Sequence, residues 1–96
     1  MFVRRKMRVG KRSVEGLVVS LSGKNLVLVR GRKGYVMCGY LNLSAAGRFG
    51  DAAAKVVGVS TLRGALRAEV HSCTGAARAL GIYRGQPVTE ALKIIA

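Results

Sequence analysis

The residue type best suited to covalent chemistry in this chain is cysteine, and Cys38 is the more promising of its two cysteines. Cys38 lies between Met37 and Gly39, where we expect a strand to end shortly before the N-terminus of a helix. Main-chain N–H groups at such a terminus stabilise a thiolate or bind an anion, and a glycine lets a ligand approach the backbone closely. The sequence therefore offers Cys38 as a candidate catalytic or anion-binding residue. The neighbours expected in such a site are Tyr35, Met37, Gly39 and Asn42.

A nucleophilic cysteine also needs a base and a residue that orients this base. His71 is the only histidine, and nothing in its sequence position places it near Cys38. The alternative is that Cys38 is a small buried apolar residue, as free cysteines often are; Cys73, on an apolar stripe, is interpreted as core. Because no complete catalytic set and no metal-ligand spacing is visible, the sequence favours a protein that is not an enzyme. It predicts no metal and no cofactor.

Basic side chains form the second set with a clear chemical capacity, because Lys and Arg bind phosphate groups. Three of them alternate along an expected first strand, and three more lie at the end of a later strand and in the turn that follows. Tyr35 or Tyr40 could stack a base beside them. The alternative is a solvated positive surface, and no RNP, KH, helix-turn-helix or zinc-finger signature decides between the two. The candidate nucleic-acid-binding residues are Arg4, Lys6, Arg8, Arg30, Arg32 and Lys33.

The overall charge points in the same direction as these residues. Seventeen Lys and Arg residues against four Asp and Glu residues give a net charge of +13. Ten of the basic residues lie in the first thirty-three positions, where Glu15 is the only acid. A net charge of roughly 2 to 8 in magnitude is enough to keep a small domain soluble. The excess therefore predicts RNA or another polyanion as a partner.

Length and hydropathy limit the kinds of protein that this chain can be. Ninety-six residues, half of them apolar, fit a single domain over residues 1–96. No apolar run approaches the ~18 residues of a membrane span, and the apolar stretch after the basic N-terminal segment is too short for a signal peptide. We therefore expect a cytoplasmic protein that does not associate with a membrane and keeps both cysteines reduced.

The first half of the chain is typical of β-structure. Period-two alternation over residues 3–9 predicts a strand with one solvated face. Residues 14–21 and 26–30 are rich in β-formers and flank a Gly- and Asn-containing turn, which predicts a hairpin. Residues 35–39 are expected to form a fourth strand and residues 55–59 a fifth. A short helix between the fourth and fifth strands, capped by Asn42 or Ser44 and ended by Gly50, would permit parallel pairing of the two.

Helical patterns dominate the second half. Ser60 or Thr61 is expected to cap a short helix that ends near Leu66. A longer helix should place Val70, Cys73, Ala77 and Leu80 on one stripe and end at Gly81. Pro87 suits the first turn of a last helix, whose inner face holds Val88, Leu92 and Ile95. Together these elements predict an α+β fold, with a mixed, mostly antiparallel five-stranded sheet and short helices packed on one face.

Residues 34–41, Gly-Tyr-Val-Met-Cys-Gly-Tyr-Leu, resemble the signature of the YunC-like family of bacterial and archaeal proteins. Residues 54–60 and 79–82 add to this resemblance, which extends from about residue 6 to the end of the chain. The family is a domain of unknown function (domain of unknown function 1805), so the resemblance implies a fold and no activity. Asn42 replaces the usual acid after the Leu, and residues 85–88 replace the usual turn. The basic first third is peculiar to this chain.

Three hypotheses for function follow from the sequence. The first is a small basic module that associates with RNA through an Arg and Lys face. The second is an enzyme or small-anion site centred on Cys38 at a strand-to-helix junction. The third is a homo-oligomeric structural or adaptor protein, with a homodimer as its simplest form. The first is the best guess, because charge is the least ordinary property of the chain.

Overall fold

The computed structural model describes residues 2–96, which form one six-stranded sheet with four short helices. The strands follow one another along the sheet in chain order. They are β1 (Phe2–Val9), β2 (Arg12–Ser20), β3 (Asn25–Arg30), β4 (Tyr35–Met37), β5 (Ala53–Lys55) and β6 (Ser72–Cys73). The helices are α1 (Leu43–Arg48), α2 (Leu62–Arg67), α3 (Gly75–Ala79) and α4 (Val88–Ile95). No helix within residues 2–96 is long and apolar enough to cross a membrane.

Strands β1, β2 and β3 form an antiparallel meander, as predicted. β1 pairs with β2 along its whole length, from Phe2 opposite Val19 to Val9 opposite Arg12, and β2 pairs with β3 in the same antiparallel sense. The β2–β3 turn contains Gly23 with a φ of 78°, a conformation that glycine adopts without strain. Because successive residues of a strand point to opposite faces, this register fixes which side chains lie together.

The predicted parallel pair is present, but its second strand comes earlier than expected. β4 pairs with β5 in parallel through α1, and the Asn42 side chain caps α1 by accepting the Ala45 N–H at 3.1 Å. β5 occupies Ala53–Lys55 rather than residues 55–59. Gly58 has a φ of 71°, so the chain turns away from the sheet where the apolar pattern of Val56 to Val59 suggested a continuing strand.

The prediction of a long helix that begins near Val70 is wrong. Residues Ser72–Cys73 form a sixth strand, which pairs with β5, so the sheet has six strands instead of five. The helix that follows starts only after Thr74, whose side chain accepts the Ala77 N–H at 3.2 Å as its N-cap. Val70 and Cys73 are buried as expected, whereas Leu80 is exposed. The spacing of three and four residues between Val70, Cys73, Ala77 and Leu80 is typical of a helix. In the structure these residues are spread over the segment before β6, the strand itself and the short helix α3 with its C-cap.

The helices lie on both faces of the sheet, which corrects the prediction that they pack on one face. α1 covers Met37 and Ala53 through Ala46. Val36 and Ala54 alternate with these residues and therefore point to the other face, where they pack with the buried residues of α4. The α+β class and the mixed, mostly antiparallel sheet are confirmed. The inner face predicted for the last helix is also confirmed, and its residues Val88, Leu92 and Ile95 are buried.

Candidate functional site

The register of the meander brings four of the six candidate nucleic-acid-binding residues to one face. Arg4, Lys6 and Arg8 alternate along β1, and Lys6 lies opposite Glu15, which in turn lies opposite Arg30 on β3. Residues paired across neighbouring strands share a face, so all of these side chains project from the face opposite α2 and α4. We call the exposed part of this face, formed by Arg4, Lys6, Arg8 and Arg30, the basic sheet face.

Glu15 organises the centre of the basic sheet face. Its carboxylate accepts hydrogen bonds from the Nε atoms of Arg4 at 2.5 Å and Arg30 at 3.1 Å. The hydrogen bond from Arg4, followed by the Arg4 charge and the contacts with Arg30, holds the pKa of Glu15 below its usual value. More than half of each arginine side chain stays exposed. One acid thus pairs with two guanidinium groups, and neither Lys6 nor Arg8 forms an ion pair with it.

Apolar side chains run beside these charges on the same face. Phe2 lies opposite Val19, and Val19 lies opposite Leu26. Phe2 is 61% exposed, whereas Val19 and Leu26 are half-buried. α1 packs only at the other end of this face, over β4 and β5. The basic sheet face therefore has an exposed aromatic ring at one end. The sequence reasoning missed Phe2, although period-two alternation from Arg4 would have assigned it to this face.

The remaining two candidates, Arg32 and Lys33, lie in the loop between β3 and β4. Lys33 N–H donates to the Ile95 carbonyl at 2.8 Å, which ties this loop to the end of α4. A Cβ on Gly31 would lie 2.3 Å from the same carbonyl oxygen, so close approach requires glycine there. Arg32 and Lys33 are exposed, and both line a cleft of about 320 Å³ together with Arg30.

Neither tyrosine predicted to stack a base lies open on the basic sheet face. Tyr35 is half-buried, and its hydroxyl donates to the Asp51 carboxylate at 2.7 Å. Burial, together with this hydrogen bond and the Asp51 charge, raises the pKa of Tyr35 to about 12. Tyr40 is half-exposed but lines a different cleft, beside Cys38.

Cys38 is a core residue, and its surroundings differ from those expected. Its side chain is 2% exposed and packs with Val27 and Ala65. The Val27 N–H donates to Cys38 Sγ at 3.2 Å, and the Cys38 N–H donates to the Val27 carbonyl at 3.1 Å. α1 begins only at Leu43, and the helical residue that packs with Cys38 is Ala65 of α2. The expected neighbour Met37 is also buried, under α1.

The groups needed for thiol catalysis are not brought together around Cys38. His71 is exposed, its backbone N–H donates to the Lys55 carbonyl, and its ring nitrogen contacts Ser72 Oγ at 3.3 Å. Among the described residues that line the cleft beside Cys38 there is no histidine, aspartate or glutamate. Residues 2–96 also contain no group of three His, Cys, Asp or Glu side chains that could hold a metal. Cys73, at 9% exposure, is core as expected.

Comparison with known proteins places the chain in a family. The family model described as domain of unknown function DUF1805 matches residues 37–95. The chain belongs to this family. A crystal structure of a protein of unknown function from Thermoplasma acidophilum is 30% identical in sequence, with a TM-score of 0.95 over 100% of this chain and 94% of that chain. A search of curated proteins found no match.

The DUF1805 match includes the candidate region around Cys38 but not the basic residues of the first three strands and the β3–β4 loop. It begins at Met37 and so includes Cys38, Gly39 and Tyr40, whereas the basic sheet face and the β3–β4 loop precede it. The relative from Thermoplasma acidophilum matches the whole chain in structure, so the meander belongs to the shared fold even though the family model does not reach it. The family membership expected from residues 34–41 is confirmed.

Proposed function

We propose that this DUF1805 protein binds RNA through the basic sheet face. The observation that carries the proposal is the strand register, which places Arg4, Lys6, Arg8 and Arg30 on one exposed surface. Alternate residues of a strand are about 7 Å apart, so β1 presents a row of cations rather than an isolated charge. Such a row attracts a phosphate backbone without reading its sequence.

Two features favour an RNA strand with unpaired bases over a duplex. Phe2 exposes most of its ring at one end of the cation row, and aromatic rings stack on unpaired bases of any sequence. Val19, which is half-buried and lies directly opposite Phe2, gives the base a further apolar side chain to contact. A rigid duplex presents phosphates but keeps its bases stacked inside, so it would gain little from this part of the surface.

The test is a fluorescence-anisotropy titration of short single-stranded RNA, duplex RNA and DNA at low and near-physiological salt. Four phosphate contacts would give a log–log salt slope near −3 on a single strand. Lys6→Gln/Arg8→Gln removes two cations that make no ion pair with Glu15. We expect it to weaken RNA binding roughly tenfold and to make the slope shallower by about 1.4.

Arg63→Gln/Arg84→Gln is the matched control, because it removes the same charge from exposed positions outside the basic sheet face. RNA affinity should change little in this variant. An equal loss in both double variants would show that net charge alone drives the binding, and binding that disappears at physiological salt would also refute the proposal. The homodimer and adaptor hypothesis remains a prediction, which a mass measurement in solution would test.

A further inference from the structure

The two parallel strands lead into helices on opposite faces of the sheet. β4 is followed by α1, which packs over Met37 and Ala53. β5 is followed by α2, whose Ala65 packs with Val27 on the opposite face. Where the chain leaves two adjacent parallel strands in opposite directions, a crevice opens beyond their carboxyl ends, and ligands of open sheets bind in such crevices.

A cleft of about 680 Å³ lies at this point of the fold. One wall is residues 38–40 after β4, another is residues 58–60 after β5, and the β2–β3 turn forms a third. The Asn25 side-chain amide donates to the Ser60 carbonyl at 2.9 Å, which joins the second and third walls. A volume in the range of ~300 to 1,000 Å³ is typical of small-molecule sites, so the cleft has room for a complete ligand.

The cleft is lined by bare backbone at three glycines, of which Gly39 is the most informative. Gly23 and Gly58 have positive φ values, so their conformation alone explains glycine. Gly39 does not have a positive φ, and no heavy atom of the described chain lies within 4 Å of where its Cβ would be. Neither backbone conformation nor packing requires glycine at this position. Its absent side chain leaves open space against the peptide plane, which is what close approach of a ligand needs.

The polar groups around this space define the ligand that it suits. Among the described residues that line the cleft, Lys24 is the only charged one. Tyr40 is 48% exposed, and its aromatic ring shares the lining with the backbone of Gly39 beside it and of Gly58 in the second wall. One ammonium group balances one negative charge, while a ring and bare peptide planes suit a planar body.

We propose that this cleft binds a small aromatic monoanion, with its anionic group at Lys24 and its ring against Tyr40 and the Gly39 backbone. The site is independent of the basic sheet face, because none of the six candidate RNA-binding residues lines it. It needs no reaction at Cys38, whose side chain is buried behind the wall. Cys38 shapes the cleft by holding the end of β4 against Val27.

The test is a ¹H–¹⁵N NMR titration of the full chain with defined probes. Indole-3-acetate and benzoate are the aromatic monoanions, tryptamine and benzylamine are their cationic counterparts, and acetate lacks the ring. Indole-3-acetate should shift the amide signals of Lys24, Gly39 and Gly58, while the amines and acetate leave them in place. Lys24→Gln should weaken binding roughly tenfold, the loss expected for one charge-assisted contact.

Gly39→Leu should abolish binding by filling the cleft, because there is space for its side chain in the folded protein. Gly47→Leu is the matched control: its φ is not positive, and the nearest atom to a Cβ there is 3.9 Å away, outside the cleft. If Gly39→Leu fails to fold, Tyr40→Ser replaces it, with a severalfold loss expected. Equal shifts with tryptamine, shifts confined to β1, or undiminished binding by these cleft variants would overturn the proposal.

Discussion

The first thirty-three residues carry most of the net charge of the chain, whereas the segment that matches DUF1805, residues 37–95, buries most of its core. The first thirty-three residues hold ten basic residues against one acid, and residues 37–95 hold seven against three. Of the buried apolar residues, only Val14, Val27 and Val29 come from β1–β3. The family model thus matches the segment that supplies most of the core, whereas most of the basic residues lie outside the matched segment.

The residues that maintain the fold are therefore mostly different from the charged residues that could bind a partner. Side chains in the segment 37–95 are constrained by burial, because a change of one methylene in a packed interior alters stability. On β1 the outward residues meet water, and substitutions there usually change stability by less than about 0.5 kcal/mol. A positive surface could therefore be acquired on β1 without disturbing the scaffold. The two regions should respond in opposite ways to substitution, with stability lost from one and affinity from the other.

The largest effect is expected where the β3–β4 loop meets the end of α4. Gly31→Ala would place a Cβ 2.3 Å from the Ile95 carbonyl oxygen, and relief requires backbone movement. We expect a loss of about 2 to 3 kcal/mol in the free energy of unfolding, measured by urea denaturation. Gly47→Ala, in α1, has no such neighbour and should be neutral or slightly stabilising. Similar stabilities for the two variants would show that this junction does not hold the two regions together.

A smaller effect is expected at the hydrogen bond between Tyr35 and Asp51. Because the pKa of Tyr35 is raised to about 12, from about 10 in the unfolded chain, its stabilising effect is complete below pH 10. It is lost as the pH rises towards 12. Ultraviolet titration should show a phenol that ionises near pH 12, and Tyr35→Phe should remove this step and cost about 1 kcal/mol. Tyr83→Phe, an exposed control, should leave the high step in place.

The smallest effect is expected at Glu15, where the stability of the protein and its affinity for RNA should change in opposite directions. The pKa of Glu15 is lowered in the folded protein, so its stabilising effect is present above the unfolded pKa and disappears as the pH falls through the folded value. Glu15→Gln should lower the melting temperature slightly at neutral pH and have no effect in acid. It frees Arg4 and Arg30 and should tighten RNA binding roughly twofold to threefold. Weaker RNA binding by this variant would show that Glu15 presents the guanidinium groups instead of competing for them.

Much of the meander could be predicted because its signals are local. Alternation along β1 places Arg4, Lys6 and Arg8 on one face, and the turn at Gly23 marks the β2–β3 hairpin. That Arg30 shares this face depends on the pairing across β2 and was not predicted. For the caps of α1 and α2 the sequence offered two residues each, and the structure assigns them to Asn42 and Thr61, whose side chains accept an N–H three residues ahead. These signals depend on residues that are close in the chain.

The parts that could not be predicted depend on contacts between distant residues. Thr74 donates to the Asp51 carbonyl and accepts the Ala53 N–H, so residues more than twenty positions away set where the strand β6 ends and α3 begins. The cleft likewise has Gly39 and Gly58 in one lining, beyond the ends of two parallel strands. In the sequence they belong to two separate expected strands, residues 35–39 and 55–59. For Cys38 the sequence left two interpretations open, a reactive thiol and a small buried apolar residue, and its 2% exposure agrees with the second.

The position of β1 at the edge of the sheet has a consequence for the solubility of the protein. An edge strand of eight residues offers unpaired backbone groups to other copies of the chain, and natural proteins discourage such aggregation with charged side chains. Arg4, Arg5, Lys6 and Arg8 make neighbouring copies repel one another. A polyanion that neutralised these charges would also remove the repulsion. High protein concentration with bound nucleic acid is therefore the condition in which strand-to-strand assembly through β1 becomes accessible.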